Sequence, residues 1–356
     1  MFRLSSAPSP VWRDFCCHNA DRRWEYSTFF RALLWRCNPG SIDAKRAVGK
    51  VSCGATILAL VARCLPVRNR PVLIAATMTP YLALTGPASV ILLALARRWQ
   101  LAAVAATVAA AAAATQIPMY RADKAPGSGT RMQAISANLR LGDAHAEALV
   151  SMVAGQVDIL AVQELDSDEL LRLSAAGLDD VLPYRLLHKR RPGPYGLGLW
   201  SRYPLSQIPS IGGTPPPFLG AAIQVPGVKT APVVVVVHLA NPWHIGWWAR
   251  DIDALAQTLT ELRRLSEGPV IVTGDMNSTL DMWPFRRLLR RGYRDAAEQA
   301  GAGFRPTFPQ GLVIPPLLAI DHVLTLRCAA VASHTMTLPG SDHRAVRATL
   351  VVPADQ

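Results

Sequence analysis

Two long stretches without a charged residue, 71–96 and 101–120, restrict most strongly what this chain can fold into. The first is 26 residues long, and the second contains ten alanines between Leu101 and Thr115. A membrane-spanning helix needs about 20 consecutive, mostly apolar residues, and both stretches reach that length. Pro80 and Pro87 would break a helix in water but are tolerated within a membrane span. The pattern therefore predicts helices that cross a membrane.

A third apolar stretch, 51–66, is shorter and is interrupted by Arg63. It can span a bilayer only if the Arg63 guanidinium reaches the interface. We therefore predict an all-α transmembrane region over 51–120, with about three helices at 51–66, 71–96 and 101–120. The alternative is a hydrophobic hairpin buried inside a soluble protein, which the length of the uncharged stretches disfavours.

Basic residues around the apolar stretches bear on their orientation. Residues 1–50, interpreted as a cytoplasmic tail, carry nine lysines and arginines, and Arg97 and Arg98 separate the second stretch from the third. Because basic loops tend to stay in the cytoplasm, three spans would place everything after residue 120 on the extracytoplasmic side. Arg63, Arg68 and Arg70 favour the opposite orientation.

The net charge of +12 comes almost wholly from the first third of the chain. Residues 1–130 hold 16 lysines and arginines against 5 acids, whereas residues 131–356 hold 21 against 20. The second part therefore lacks the basic surplus expected of a protein that binds by neutralising many phosphates. Residues 121–130, which contain proline and glycine, read as a linker between the two parts.

From residue 131 onward, apolar runs of strand character alternate with helical runs, and polar residues repeatedly follow the strands. In a layered α/β domain such strand ends can meet at one rim and build a site. The polar residues in question are Asn138, Glu164, His238, Asp275, Asn277, Asp321, Asp342 and His343.

Seven short motifs in this region, taken in order, resemble the endonuclease/exonuclease/phosphatase superfamily. The resemblance covers almost all of residues 131–350 and implies a catalytic domain at 131–352. It also implies a four-layer α/β sandwich, in which two packed, mostly antiparallel β-sheets are flanked by helices, with divalent-metal phosphoesterase chemistry. The motifs are Ser136-Ala137-Asn138-Leu139, Gln163-Glu164, Tyr195-Gly196 with Ser201-Arg202-Tyr203-Pro204, His238-Leu239, Gly274-Asp275-Met276-Asn277, Ile320-Asp321-His322-Val323 and Ser341-Asp342-His343-Arg344.

The resemblance implies a site for Mg²⁺ or Mn²⁺. Glu164 would bind the metal through its carboxylate, and Asp342 would supply a second carboxylate. Asn138 would orient Glu164 or bind the metal through its amide oxygen. An acid that caps the next helix is the alternative for Glu164, and an ordinary turn residue is the alternative for Asn138.

The same resemblance assigns the proton-transfer roles. His343 would stabilise the transition state or handle a proton, while Asp321 fixes its tautomer and orientation. His238 would donate a proton to the leaving group. Asp275 would be the base that activates water. The alternative for both histidines is a structural role in the core.

Substrate contacts are expected from Asn277, which would hold substrate or water by hydrogen bonds, and from Tyr195. Gly274 permits the tight turn that presents Asp275 and Asn277. An Asx turn after a strand would explain this motif without catalysis.

These observations favour a membrane-anchored, multi-pass, metal-dependent phosphoester hydrolase, either a phosphodiesterase or a phosphatase. A near-neutral catalytic domain attached to a bilayer fits lipid headgroups or small phosphodiesters better than long nucleic acid. The first alternative is a nuclease. A non-catalytic binding protein of the same fold would be expected to lack a principal site residue, and a transporter is disfavoured because the spans contain no acid.

Overall fold

The computed structural model describes residues 41–124, 128–189, 196–208 and 218–353, and its contacts divide the chain into two compact units. One unit consists of Leu84–Ala109 and the described part of Met1–Ala55. The other consists of Thr56–Ala83 and the described part of Ala110–Gln356. The second unit, which we call the catalytic unit, therefore contains more of the chain than residues 131–352.

Residues 42–120 are mostly helical, and among the described residues two helices are long and apolar enough to cross a membrane. These are Ile42–Cys64, with mean hydropathy 1.5, and Trp99–Tyr120, with mean hydropathy 1.6. The first begins before the predicted start at residue 51. In order, the elements are α1 (Ile42–Cys64), α2 (Arg70–Thr77), α3 (Thr79–Ala83), α4 (Thr85–Leu95), α5 (Trp99–Gln116) and a 3₁₀ helix (Ile117–Tyr120).

The stretch expected to form one span at 71–96 is bent by 61° between Arg70–Thr77 and Thr79–Leu95. Pro80 lies at the start of α3 and Pro87 in the first turn of α4. Proline lacks the N–H that would continue a preceding helix, so each one fits a helix start better than a helix interior. The segment can therefore be one broken span or a loop that re-enters the membrane.

Within the described part of the catalytic unit, twelve strands form two six-stranded sheets. The first sheet has the order β11-β12-β1-β2-β4-β3 and the second the order β5-β6-β7-β8-β10-β9. The strands of the first sheet are β1 (Thr130–Asn138), β2 (Ile159–Leu165), β3 (Tyr184–Lys189), β4 (Gly196–Ser201), β11 (Ala329–Met336) and β12 (Ala345–Val352). Those of the second are β5 (Leu205–Gln207), β6 (Phe218–Ile223), β7 (Val233–His238), β8 (Val270–Asp275), β9 (Arg294–Asp295) and β10 (Asp321–Leu326).

Helices cover the outer face of each sheet, so the unit has four layers. Apolar side chains from the inner faces, such as Ile159 and Val234, form a core between the sheets. A second core lies between the first sheet and α6 (Ala146–Val153), α7 (Ser167–Ala175) and α8 (Leu178–Val181). A third lies between the second sheet and α9 (Ile245–Leu265) and α10 (Trp283–Leu289), while the short α11 (Ala296–Gln299) follows β9. The predicted four-layer α/β sandwich is confirmed.

The third core also takes in the apolar N-terminal segments. Leu73 and Ala76 of α2 and Met119 of the 3₁₀ helix are buried in the same cluster as Trp248 of α9 and Phe285 of α10. Burying apolar surface from both parts of the chain stabilises them together. Parts of the apolar stretches themselves therefore belong to the outer layer of the catalytic unit.

A buried ion pair accompanies this packing. The guanidinium of Arg63, near the end of α1, pairs with the carboxylate of Asp281, which is almost fully buried. Gln116 also donates a hydrogen bond to Asp281 (3.3 Å), and Arg286 donates one to the carbonyl of Arg63. Asp281 follows β8 by six residues, so the pair connects the end of α1 to the loop after that strand.

Replacing Arg63 by methionine should destabilise the protein by about 3 kcal/mol, because it leaves the buried Asp281 carboxylate without its partner. The measurement is the unfolding midpoint of the full chain in detergent. Arg68→Met is the matched control, since Arg68 is exposed. Equal midpoints for the two variants would contradict the assigned role of the ion pair.

Candidate active site

The strand directions bring the polar strand ends to one edge of the two sheets. β1 and β2 are parallel, as are β7 and β8, so their carboxyl ends lie side by side. β10 is antiparallel to β8 and β12 is antiparallel to β1, so both of these strands begin at the same edge. We call this the catalytic edge. The residues it carries are Asn138, Glu164, His238, Asp275, Asp321 and His343.

Glu164 projects from an irregularity in β2. The pairing with β4 passes from Gln163 to Leu165 without Glu164, whose φ is 57°. Such a bulge redirects one side chain out of the alternation of the strand. Its carboxylate accepts hydrogen bonds from Asn138 Nδ2 (3.1 Å) and from the Leu141 backbone N–H (3.0 Å). Burial raises the pKa of Glu164, although the hydrogen bond from Asn138 opposes that shift.

Asn138 connects the two sheets. Its Nδ2 also donates to Asp275 Oδ2 at the end of β8 (3.1 Å), and its Oδ1 accepts from the Arg140 backbone N–H (2.9 Å). The amide nitrogen thus faces two carboxylates while the amide oxygen is occupied by the backbone. This arrangement favours the orienting role among the two roles expected for Asn138.

Asp275 is buried at the centre of the site. Its Oδ1 accepts the Asn277 backbone N–H (2.8 Å), and its Oδ2 lies 3.6 Å from His238 Nε2 and 3.8 Å from His343 Nε2. Burial, with the charge of Asp321 as a further cause, raises the pKa of Asp275 to about 6, although both histidines act in the opposite direction. The carboxylate faces groups that stabilise its charged form.

The conformation of the turn after β8 depends on Gly274 and Asn277. Gly274 has a φ of 145°, and a Cβ there would collide with the carbonyl of Val237 on β7. Asn277 has a φ of 44°, a conformation that asparagine tolerates better than most residues. Its Nδ2 donates to the Leu239 carbonyl (2.9 Å), which holds the loops after β7 and β8 together. The motif is therefore both an Asx turn and part of the site.

His343 is held on three sides. Its Nδ1 lies 2.9 Å from Asp321 Oδ2, its ring centroid is 4.9 Å from that of Phe308, and its backbone N–H donates to Ser341 Oγ (3.0 Å). Burial alone would lower the pKa of His343, but the charges of Asp321 and Asp275 outweigh burial and raise it to about 10. This orientation directs Nε2 toward Asp275.

His238 stands between the two sheets at the same edge. Its Nε2 is 3.6 Å from Glu164 Oε1 and 3.6 Å from Asp275 Oδ2. The half-buried Asp342 lies close enough for its charge to raise the pKa of both Glu164 and His343.

Two further residues of the motifs, Tyr195 and His322, have different outcomes. Tyr195 lies outside the described residues. His322 is turned away, with its ring nitrogens 2.8 Å from Asp295 Oδ2 and 2.8 Å from the Ser278 carbonyl.

Several supporting residues had no role in the sequence interpretation. Ser341 Oγ donates to the Asn138 carbonyl (2.7 Å) as well as accepting from His343, so it joins the ends of two motifs. The sequence feature that could have indicated a role for Ser341 is its position next to Asp342. Phe308 packs on His343 from a loop that carries no motif, and nothing in the sequence marks it.

The Ser201-Arg202-Tyr203-Pro204 part of one motif lies at the opposite end of the strands. Arg202 pairs with Asp158 (3.3 Å), and the Tyr203 hydroxyl donates to the same carboxylate (3.2 Å). Asp158 directly precedes β2, whereas Glu164 is near its end. These residues therefore fasten β2 to β4 and do not contribute to the catalytic edge.

The donor set fits a hard divalent cation. One ligand atom each from Asp275, Asp321 and His343 lie within 4.8 Å of one another. The close contact between Asp321 and His343 is already explained by their hydrogen bond, and Mg²⁺ prefers oxygen ligands. The bulged Glu164 carboxylate, with the charge of Asp342 nearby and histidines as its neighbours, is the better candidate centre of a metal site.

Comparison with protein families agrees with this geometry. A family model described as "Endonuclease/Exonuclease/phosphatase family" matches residues 126–343, which is more than half of the chain. The chain belongs to this family.

Solved structures share the fold of this Endonuclease/Exonuclease/phosphatase family member. A conserved protein of unknown function from Enterococcus faecalis V583 is 17% identical, with a TM-score of 0.50, over 62% of this chain and 100% of its own. An endonuclease/exonuclease/phosphatase from Bacteroides vulgatus is 17% identical, also with a TM-score of 0.50, over 63% of this chain and 100% of its own. The comparison with curated proteins gave no match.

Replacing Ser341 by alanine should lower the free energy of unfolding by about 2 kcal/mol, because two buried backbone groups lose their partner. The change should also reduce turnover, since the backbone of His343 loses its anchor. Chemical unfolding and steady-state kinetics of the full chain measure the two effects. Ser206→Ala on the exposed β5 is the control, and a Ser341→Ala chain as stable as this control would refute the assignment.

Proposed function

We propose that this family member is a membrane-associated, divalent-metal-dependent phosphoester hydrolase. The observation that supports the proposal most strongly is the meeting of Glu164, His238, Asp275 and the Asp321–His343 pair at one edge. A phosphoester repels nucleophiles through its own negative charge, so hydrolysis needs a base, donors for the developing charge and a cation.

The metal would be held by Glu164 and Asp342, with Asn138 holding the Glu164 carboxylate in place. When bound there, Mg²⁺ or Mn²⁺ would neutralise charge on the phosphoryl oxygens. The carboxylates of Glu164 and Asp342, both half-buried, suit such a cation better than they suit a softer metal.

Asp275 is assigned as the base that takes a proton from the attacking water. Its Oδ2 lies within 4 Å of both histidines, and hydrogen bonds from Asn138 and Asn277 fix the carboxylate in one orientation. A base held in one orientation loses less entropy when the reaction begins.

The two histidines act on the phosphate from different sides of Asp275. With Nδ1 held by Asp321, His343 presents Nε2–H as a donor to a phosphoryl oxygen. His238 is assigned as the proton donor to the leaving group, since its Nε2 faces the Glu164 and Asp275 carboxylates. Asn277 would use its side-chain oxygen toward substrate, because its nitrogen is bonded to Leu239 and Asp275.

The nearly neutral charge of residues 131–356 favours a small or lipid phosphoester over long nucleic acid. Nuclease activity is the second candidate, and the family as a whole supports it equally. A direct comparison of the two substrate classes separates them.

Full-length protein in detergent should hydrolyse at least one member of a panel of phosphomonoesters and phosphodiesters when Mg²⁺ or Mn²⁺ is present. EDTA should abolish the activity. Asp275→Asn and His343→Ala should each lower kcat by about 100-fold or more, because each removes a proton-transfer or charge-stabilising group.

Matched controls are Asp253→Asn and His334→Ala, both at exposed positions. Activity that survives EDTA and both site variants would reject the proposal. Cleavage of plasmid or single-stranded DNA in preference to every small ester would replace it with a nuclease.

We also propose a multi-pass topology with the catalytic unit on the extracytoplasmic side. The two apolar helices and the bent pair supply up to three spans, and the basic residues before them favour a cytoplasmic N-terminus.

Alkaline phosphatase fused after Arg131 should therefore be active, because that reporter folds only outside the cytoplasm. Green fluorescent protein fused at the same position should not fluoresce, because it would be exported together with the chain. The reverse pattern would invert the proposed topology.

A further inference from the structure

The loops of the catalytic edge expose large apolar side chains. Trp247 is 61% exposed and Val313 is fully exposed. Apolar groups gathered on one exposed surface mark an interaction site more often than isolated ones do. We call this surface the apolar rim. It consists of Leu141, Trp243, Trp247, Leu312, Val313 and Ile314.

Each part of the rim is tied to a site residue. Leu141 donates its backbone N–H to Glu164, and Trp243 lies on the loop that follows His238. The loop that carries Val313 is fastened at Phe308, which packs on His343, and at Gln310, whose N–H donates to the Asp342 carbonyl (2.6 Å). The rim therefore borders the site.

The same loops contact the apolar N-terminal segments within the catalytic unit. The Arg70 guanidinium at the start of α2 lies 4.9 Å from the ring centroid of Trp243. The Tyr81 hydroxyl of α3 donates to the Leu317 carbonyl (2.7 Å), and its ring packs edge-on against Phe304 (5.9 Å). The rim is thus continuous with the bent helix pair that is apolar enough to enter a membrane.

The contacts between the rim loops and the bent helix pair bear on what binds to the rim. Tryptophan is enriched at the boundary of membrane and water, where its ring is apolar and its N–H remains hydrated. Exposed Arg68 and Arg70, beside Trp243, supply charges that suit lipid phosphates. The contacts of the rim loops with α2 and α3, whose continuation in α4 is apolar enough to enter a membrane, favour the bilayer over a separate protein partner.

We propose that the apolar rim docks on the bilayer surface and that the site acts on amphiphilic phosphoesters that remain in the membrane. The substrate class rests on the proposed hydrolase function, whereas docking of the rim does not. The phosphate would enter between Glu164 and His343 while its apolar chains stay beside the rim. A soluble ester with the same headgroup lacks this second attachment.

Docking is tested by a fluorescent label that reports contact with lipid. Val313→Cys is labelled with an environment-sensitive dye in full-length chain whose five N-terminal cysteines are replaced by serine. Cys328 can remain, because it is half-buried and desolvation raises the pKa of its thiol to about 12. In lipid vesicles, the emission should shift to shorter wavelength and be quenched by spin-labelled lipid.

Leu265→Cys is the control, since Leu265 is exposed at the far end of α9. Its label should report water and resist quenching. A Val313 label that behaves like the Leu265 label would overturn docking, whether or not the protein is an enzyme. Quenching only after a soluble protein is removed would also overturn it, in favour of a protein partner.

The substrate class is tested by comparing one ester in two forms, as a long-chain lipid in vesicles and as its short-chain soluble analogue. The ratio of the two rates should fall about ten-fold in Trp247→Ser/Val313→Ser/Ile314→Ser and should not change in Leu265→Ser. An unchanged ratio in the triple variant would overturn the substrate assignment. If the wild type hydrolyses neither form while the Val313 label is still quenched, the hydrolase proposal is rejected and docking of the rim is not.

Discussion

The hydrogen bond from Asn138 to Asp275 is the interaction on which the site depends, because it joins one sheet to the other at the catalytic edge. Asn138 ends β1 in the first sheet, and Asp275 ends β8 in the second. The same amide also holds Glu164, so one side chain fixes the spacing between two carboxylates. Together with the hydrogen bond between His343, which precedes β12, and Asp321, which begins β10, it fixes the distance between the parts of the site on the two sheets.

The site buries carboxylates close to one another, and the surrounding residues must compensate for the repulsion between their charges. Asp275 and Asp321 are both buried, and placing two carboxylates near each other disfavours ionisation. His343 lies between them, and the two negative charges raise its pKa despite burial. The buried charges are thus mutually compensated, and each is also hydrogen-bonded, which is the condition under which buried charge is tolerated.

The alternation of strands and helices, and the polar residues at strand ends, could be predicted from the sequence because they are local features, whereas the four-layer arrangement was implied by the family resemblance. A run such as Val233–His238 predicts a buried strand, and parallel pairing then carries His238 to the edge beside Asp275. The bulge at Glu164 could not be predicted, since it depends on how β2 pairs with β4. Phe308 and the Arg63–Asp281 pair were missed for the same reason, because both are contacts between residues distant in the chain.

The bend in the segment predicted as a span at 71–96 has a related cause. Hydropathy and length describe a stretch of chain without regard to what else it can pack against. Leu73 and Ala76 are buried with Trp248 and Phe285, so part of that apolar stretch is used inside the catalytic unit. The membrane-associated part is therefore more than a tether. A chain that began at residue 131 would expose the apolar faces of α9 and α10 and would leave Asp281 buried without Arg63. Because Asp281 lies six residues after Asp275 on the same loop, the loss would reach the site through the backbone.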